Sequence, residues 1–189
     1  MRLILGIVLL LEVASAPVIA QTPAVRANST NTDMTAIFDA DQAERKVPKI
    51  DWALLNEADR SRRVRTQAML DAGQLGTADD FYHAVYVFQH RDLPEDFLKA
   101  HALAVVAAAR GKSEAAWIAV ATLDRYLQHI GQPQIYGTQY LRHDDGEWTQ
   151  EPYRRDLLSD PLREATGVPP IAKQQDQLGV MAGKIRKDR

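Results

Sequence analysis

Between residues 51 and 130, apolar side chains recur every three or four positions, the spacing that gathers them on one face of an α-helix. The first stretch, 51–72, starts on an acid at an N-cap position, Asp51, sets Leu54, Ala58, Arg65 and Met69 on or near one stripe, and stops before Gly73. The second opens on Thr77 with Asp80 three residues on, the spacing of a capping box, and aligns Phe81, Val85 and Phe88. A third begins at Pro94 ahead of Glu95 and Asp96, ends at Arg110-Gly111, and puts Phe97, His101, Ala104, Val105 and Ala108 on a shared face. The fourth is capped by Ser113, carries Ala116, Val120, Leu123, Leu127 and Ile130 at spacings of 4, 3, 4 and 3, and stops at Gly131. Eight alanines between 100 and 116 leave room for close helix approach. Turns of a few residues join the last three helices, which predicts antiparallel neighbours. A shorter amphipathic helix is predicted over 34–46, anchored by Ile37 and Phe38.

Past Gly131 the period shortens. Tyr136, Thr138 and Tyr140 alternate with Ile135 and Leu141, and Asp145-Gly146 is a turn signal between strands predicted at 138–142 and 147–150. Residues 154–166 read as a short helix interrupted at Pro161, and the tail from 169 to 189, rich in Gln and Lys, as loosely ordered. The fold class is therefore mainly α: a compact antiparallel helical domain over 34–168, closed by a small C-terminal β-hairpin.

The first twenty residues stand outside that domain. Arg2, the apolar run Leu3 to Leu11 and the small residues ending at Ala20 have the layout of a secretory signal peptide. Glu12 interrupts the run too early for a membrane span, which needs about twenty apolar residues. Cleavage after Ala20 predicts a periplasmic or secreted protein with no membrane partner. Residues 21–33, mostly Thr, Asn, Ser and Ala, form a tether too polar to order itself.

Composition narrows the chemistry. With 46% hydrophobic and 25% charged positions among 189 residues, the chain has ordinary globular make-up. A net charge of -2 gives no electrostatic reason to expect nucleic acid. Zero Cys removes disulfides, thiol nucleophiles, thiolate zinc sites and iron–sulfur clusters. No phosphate loop, dinucleotide fingerprint or nucleophile elbow is present, so no cofactor is expected. Asp39-x-Asp41 lacks the Gly and spaced oxygens of a calcium loop. Arg60, Arg62, Arg63 and Arg65 have Glu57 and Asp59 three or four residues away, which predicts a solvated, ion-paired face rather than a phosphate site. His83 and His90, seven apart on a helix, lie about 10.5 Å from each other and share no metal. His101, on an apolar face, is expected to be a hydrogen-bonded core histidine. That leaves an acid–base pair, His90 as an imidazole oriented by Asp124, with Arg125, Gln134 or Gln139 holding an anionic or amide substrate. The competing reading is a polar network that satisfies backbone groups where the 131–140 loop crosses helix ends.

Two resemblances bear on this. The stretch Ala84, Phe88, Asp96, Ala100, Ala107-Ala108-Ala109-Arg110-Gly111 and Ala115 resembles a single Sel1-like unit of the tetratricopeptide type, implying a helical hairpin; with no second copy in the chain, it implies no solenoid. More widely, DQAER at 41–45, FQH at 88–90, LDR at 123–125 and GQPQIYGTQY at 131–140 resemble an uncharacterised bacterial family of domains of unknown function, whose hallmark is Gln-x-Tyr-Gly-Thr-Gln. The resemblance covers about 37–168 and marks Asp41, Gln42, Arg45, His90, Asp124, Arg125, Gln134, Tyr136, Gly137, Thr138 and Gln139. It implies no activity; Arg125, Gln134, Tyr136, Thr138 and Gln139 are taken as the candidate binding residues beside His90 and Asp124 as the catalytic candidates. Two function classes stand: a binding or scaffolding module of the bacterial cell envelope, with an unknown protein or small-molecule partner, and an envelope hydrolase built on the His/Asp/Gln cluster.

Overall fold

A computed structural model describes residues 29–90 and 93–183; the expected signal peptide and most of the expected tether lie outside the described residues. The protein is mainly α, with seven helices and one two-stranded sheet among the described residues: α1 (Thr32–Glu44), α2 (Trp52–Asp71), α3 (Ala78–Phe88), α4 (Pro94–Ala109), α5 (Ala115–His129), β1 (Leu141–Arg142), β2 (Trp148–Thr149), α6 (Asp160–Ala165) and α7 (Ile171–Met181). No described helix is long and apolar enough to cross a membrane.

The core is a seam of small residues. Ala84, Val85, Val87 and Phe88 of α3 meet Ala100, Leu103, Ala104 and Ala107 of α4, which meet Ala115, Ile118, Ala119 and Ala121 of α5; Met34 and Ile37 of α1 close one side. Alanine carries no side-chain entropy to lose and lets helix axes approach, so such a seam is tight and unforgiving of added volume.

Helix ends follow the sequence closely where a cap is present. Asp51 caps α2, and Thr77 and Asp80 form the expected capping box on α3. Asp80, fully buried, also accepts from the backbone of Gly76 at 2.9 Å and of Asn31 at 2.7 Å, and Asn31 in turn caps α1. The last residues of the expected tether thus start α1 and fasten it to α3. Burial works to raise the Asp80 carboxyl, but these N–H donors outweigh it and hold the group below its ordinary value.

Several helix faces differ from the sequence reading. In α2 the inward stripe is Leu55, Asp59, Arg62, Thr66 and Met69, while Leu54, Val64 and Arg65 face outward. The arginine run is accordingly only half a solvated face: Arg62 and Arg63 are buried, while Arg65 is exposed and Arg60, also exposed, pairs with Glu57 as expected. In α5 the buried positions are Ala115, Ile118 to Thr122 and Asp124; Ile130 is exposed, and Glu114 rather than Ser113 stands at the N-cap, without a side-chain cap. In α4 Val105 is exposed. Pro161 sits in the first turn of α6, opening that helix instead of interrupting it. The expected loose tail holds α7, whose Gln174 is 1% exposed.

The hairpin pairs Leu141 with Thr149 and Arg142 with Trp148, antiparallel across the Asp145-Gly146 turn. It is shorter than 138–142 against 147–150, because the backbone amides of Thr138 and Gln139 are taken by the side chains of Asp124 and Gln134.

Candidate functional site

Two buried polar clusters flank α5, and the candidate residues divide between them. The first is centred on Asp124, 0% exposed. Gly131 and Pro133 end the helix and turn the chain back, as predicted, so that the 134–139 loop lies against the helix carrying Asp124. One carboxylate oxygen of Asp124 accepts from the backbone of Ile135 (2.8 Å) and Tyr136 (3.1 Å); the other accepts from the Thr138 amide (3.0 Å) and hydroxyl (2.8 Å).

Three buried glutamines complete that loop. Gln134 donates to the carbonyls of Gln139 (2.9 Å) and Gln150 (2.5 Å) and accepts from the Gln139 amide (3.0 Å). Gln150 donates to the carbonyl of Gly137, and Gln174 reaches from α7 to the carbonyl of Tyr136 at 3.0 Å. Tyr153 donates to that same carbonyl, and the fully buried Arg163 supports Tyr153 at 3.1 Å. Gly137 has φ +82, and a Cβ there would come within 2.1 Å of Gln174 Oε1 and 2.6 Å of the Tyr153 hydroxyl, so both its backbone and its space demand glycine. Tyr136 takes part through its main chain; burial and then the Asp124 charge raise its phenol. Gln134, Thr138 and Asp124 are committed to holding the loop and bring no chemistry to a cavity.

The second cluster is charged. Asp41 on α1, 1% exposed, accepts from Arg45 at 2.8 Å and lies 3.1 Å from His90 Nδ1. With that carboxylate ionised, the ring proton sits on Nδ1 and is donated to Asp41. Asp59 on α2 joins Arg45 (2.6 Å) and Arg62 (3.1 Å), and Arg62 reaches Glu44 at 2.6 Å. Burial works to raise Asp41; its hydrogen bond to His90, the His90 charge and Arg45 together hold it below the ordinary carboxylate range. His90 is therefore paired with Asp41, not with Asp124 as the sequence reading expected. The reason is register: His90 follows the C-terminus of α3 and meets α1, while Asp124 is saturated by its own loop.

His90, Arg125 and Gln139 do converge. They line one cavity of about 740 Å³ with Arg45, Asp59, Gln89, Gln128 and His129, walled on the apolar side by Ile50, Trp52, Phe97 and Leu141. Gln139 joins the loop to the cavity, since Gln134 holds its backbone amide and its Oε1 accepts from Arg125 at 3.1 Å. Gln134, Tyr136 and Thr138 are absent from the cavity lining. His101, half-buried, donates from Nδ1 to the Ala119 carbonyl 2.8 Å away, the hydrogen bond expected of it.

Sequence reasoning missed Asp59, Gln89 and Gln128 in the cavity, and Gln150, Gln174 and Arg163 behind the loop. Asp41 and Arg45, four apart on one helix, carried a usable signal of an ion pair; the four missed glutamines carried none, because an isolated Gln has no periodicity. Among the described residues no group of three or more His, Asp or Glu side chains is placed to hold a metal ion. No family model, curated protein or solved structure matches the chain.

Proposed function

We propose that the chain is an exported binding module of the cell envelope whose working surface is the 740 Å³ cavity between α2, the end of α3, α5 and the 139–141 segment. The observation that carries this reading is the convergence there of His90, Arg125, Gln128 and Gln139 beside an apolar wall. Concave sites of about 300–1,000 Å³, mostly apolar with a few placed polar groups, are the usual form of small-molecule sites. The loop marked by the Gln-x-Tyr-Gly-Thr-Gln sequence then serves as scaffold: it fixes Gln139 at the cavity edge by means of Asp124 and Gln134. A small-molecule fragment screen followed by amide chemical shifts on the full chain tests this; hits that shift residues 89–90, 125–129 and 139–141 together support it, and hits confined to other surfaces overturn it. N-terminal sequencing of the secreted protein tests export, with Gln21 expected first.

A second reading, hydrolysis, is favoured by one observation: the His90–Asp41 contact at 3.1 Å orients an imidazole that lines the cavity. Among the described residues no Ser or Thr lines that cavity, so His90 would act on water as a general base. His90→Gln abolishing turnover of a bound ester or amide while leaving its affinity within about twofold would support this; unchanged turnover would remove it.

A further inference from the structure

Among the described residues, one cation of the cavity has no counter-ion. Arg125 Nε donates to Gln139 Oε1 at 3.1 Å, and Nη1 to the Gln89 carbonyl at 3.3 Å and side-chain oxygen at 3.5 Å. All of these acceptors are neutral, and Nη2 meets no acceptor among the described residues. Three other arginines are answered by anions: Arg45 by Asp41 and Asp59, Arg62 by Glu44 and Asp59, Arg163 by Asp160. Burial with no anion beside it draws the Arg125 guanidinium below its ordinary value, the sign of a site that stabilises an incoming negative charge. One turn further on, Gln128 also lines the cavity, and its Nε2, buried, has no hydrogen-bond partner among the described residues. Residues three apart on a helix are neighbours, so two unmet donors point to one place. An unmet buried donor is costly unless a ligand supplies the acceptor.

The opposite wall decides the rest of the ligand. Trp52 is 64% and Leu141 41% exposed, and both border the cavity together with Ile50 and Phe97. Asp59, on the same lining, disfavours a second negative charge. Resting on the reading of this cavity as a binding site, we infer that its ligand is an organic monoanion, a carboxylate held by Arg125 and Gln128 whose apolar or aromatic body lies against Trp52 and Leu141. One carboxylate oxygen meets Arg125 Nη2 and the other Gln128 Nε2, and the indole of Trp52 on the same lining gives a flat ring its contact area.

The full chain titrated with 3-phenylpropionate, 3-phenylpropanamide and inorganic phosphate, followed by amide and indole chemical shifts, separates the alternatives. The inference expects the acid to bind at least tenfold tighter than its amide and tighter than phosphate, with the shifts at Trp52, Arg125, Gln128 and Gln139. Arg125→Gln should remove the preference for acid over amide, and Arg125→Lys should restore part of it. Because the acid–amide comparison is made on the unaltered protein, it stands even where a variant misfolds. Equal binding of acid and amide in the cavity overturns the anion inference while leaving the binding site in place. Tighter binding of phosphate overturns the carboxylate assignment. No shift at the cavity with any probe overturns both readings.

Discussion

Asp41 and Asp124 are almost equally hidden, at 1% and 0% exposure, yet opposite kinds of partner hold them. Asp124 is met by three backbone amides and a threonine hydroxyl, all from one loop. Asp41 is met by a histidine and an arginine from its own and a neighbouring segment, with a second arginine 4.0 Å away. A carboxylate spent on backbone amides fixes a chain path; one held by ionisable side chains orients groups that can react. The first builds the wall of the cavity and the second supplies its polar face. The difference shows that burial and hydrogen bonding alone do not separate structure from function: the titratability of the partners does.

The comparison breaks most readily at Asp124. Asp124→Ala leaves three amides and a hydroxyl without their acceptor and should lower unfolding free energy by about 3 to 5 kcal/mol in urea titrations; a loss below about 1 kcal/mol would show that the loop re-satisfies itself and is no scaffold. Gly137→Ala forces a side chain into the left-handed region and onto Gln174 and Tyr153, for an expected loss of about 2 to 4 kcal/mol. Heat denaturation that matches the unaltered protein would sink the claim that this site is closed to a Cβ.

On the other side, Asp41→Asn keeps the shape and removes the charge. We expect a loss of about 1 to 2 kcal/mol at neutral pH, smaller than for Asp124→Ala because Arg45 and Arg62 retain Asp59. The pH dependence sharpens the point. Asp41 has its folded pKa below the ordinary value, so its contribution is full above that value, about 4, and is lost as pH falls through the folded one. Stability measured from pH 5 down to pH 2 should therefore fall less steeply in Asp41→Asn than in the unaltered protein, and parallel curves would contradict the assignment. The smallest effect belongs to Arg60→Ala, where an exposed pair with Glu57 is broken; a change within about 0.5 kcal/mol is expected from chemical denaturation, against the buried Arg62 two residues away.

Much of the fold was legible wherever a local rule acts alone. Asp51, Thr77 with Asp80, and Gly131 marked helix ends because caps and stops are decided within a few residues. Helix faces were less legible. On α2 the inward stripe includes Asp59, Arg62 and Thr66, so a search for apolar periodicity settled one position away, on Leu54. On α5 Thr122 and Asp124 are fully buried beside the stripe of Ala116, Val120, Leu123 and Leu127 that an apolar periodicity picks out. The site was legible in its parts and not in its pairings: His90, Arg125 and Gln139 were all identified, yet the carboxylate facing His90 lies 49 residues away on α1. Nothing in a single sequence encodes that distance, since it follows from how three helices stack.

The glutamine on α7 ties the loop at a second range. Asp124 finds its partners 11 to 14 residues ahead of it, whereas Gln174 reaches back 38 residues to the carbonyl of Tyr136. A chain cut before α7 would keep the near anchor and lose the far one, leaving the Tyr136 carbonyl to Tyr153 and opening the space beside Gly137 on the side that Gln174 fills. One edge of the cavity is therefore fastened by two segments far apart in the chain, and the more distant of them lies on the last helix described.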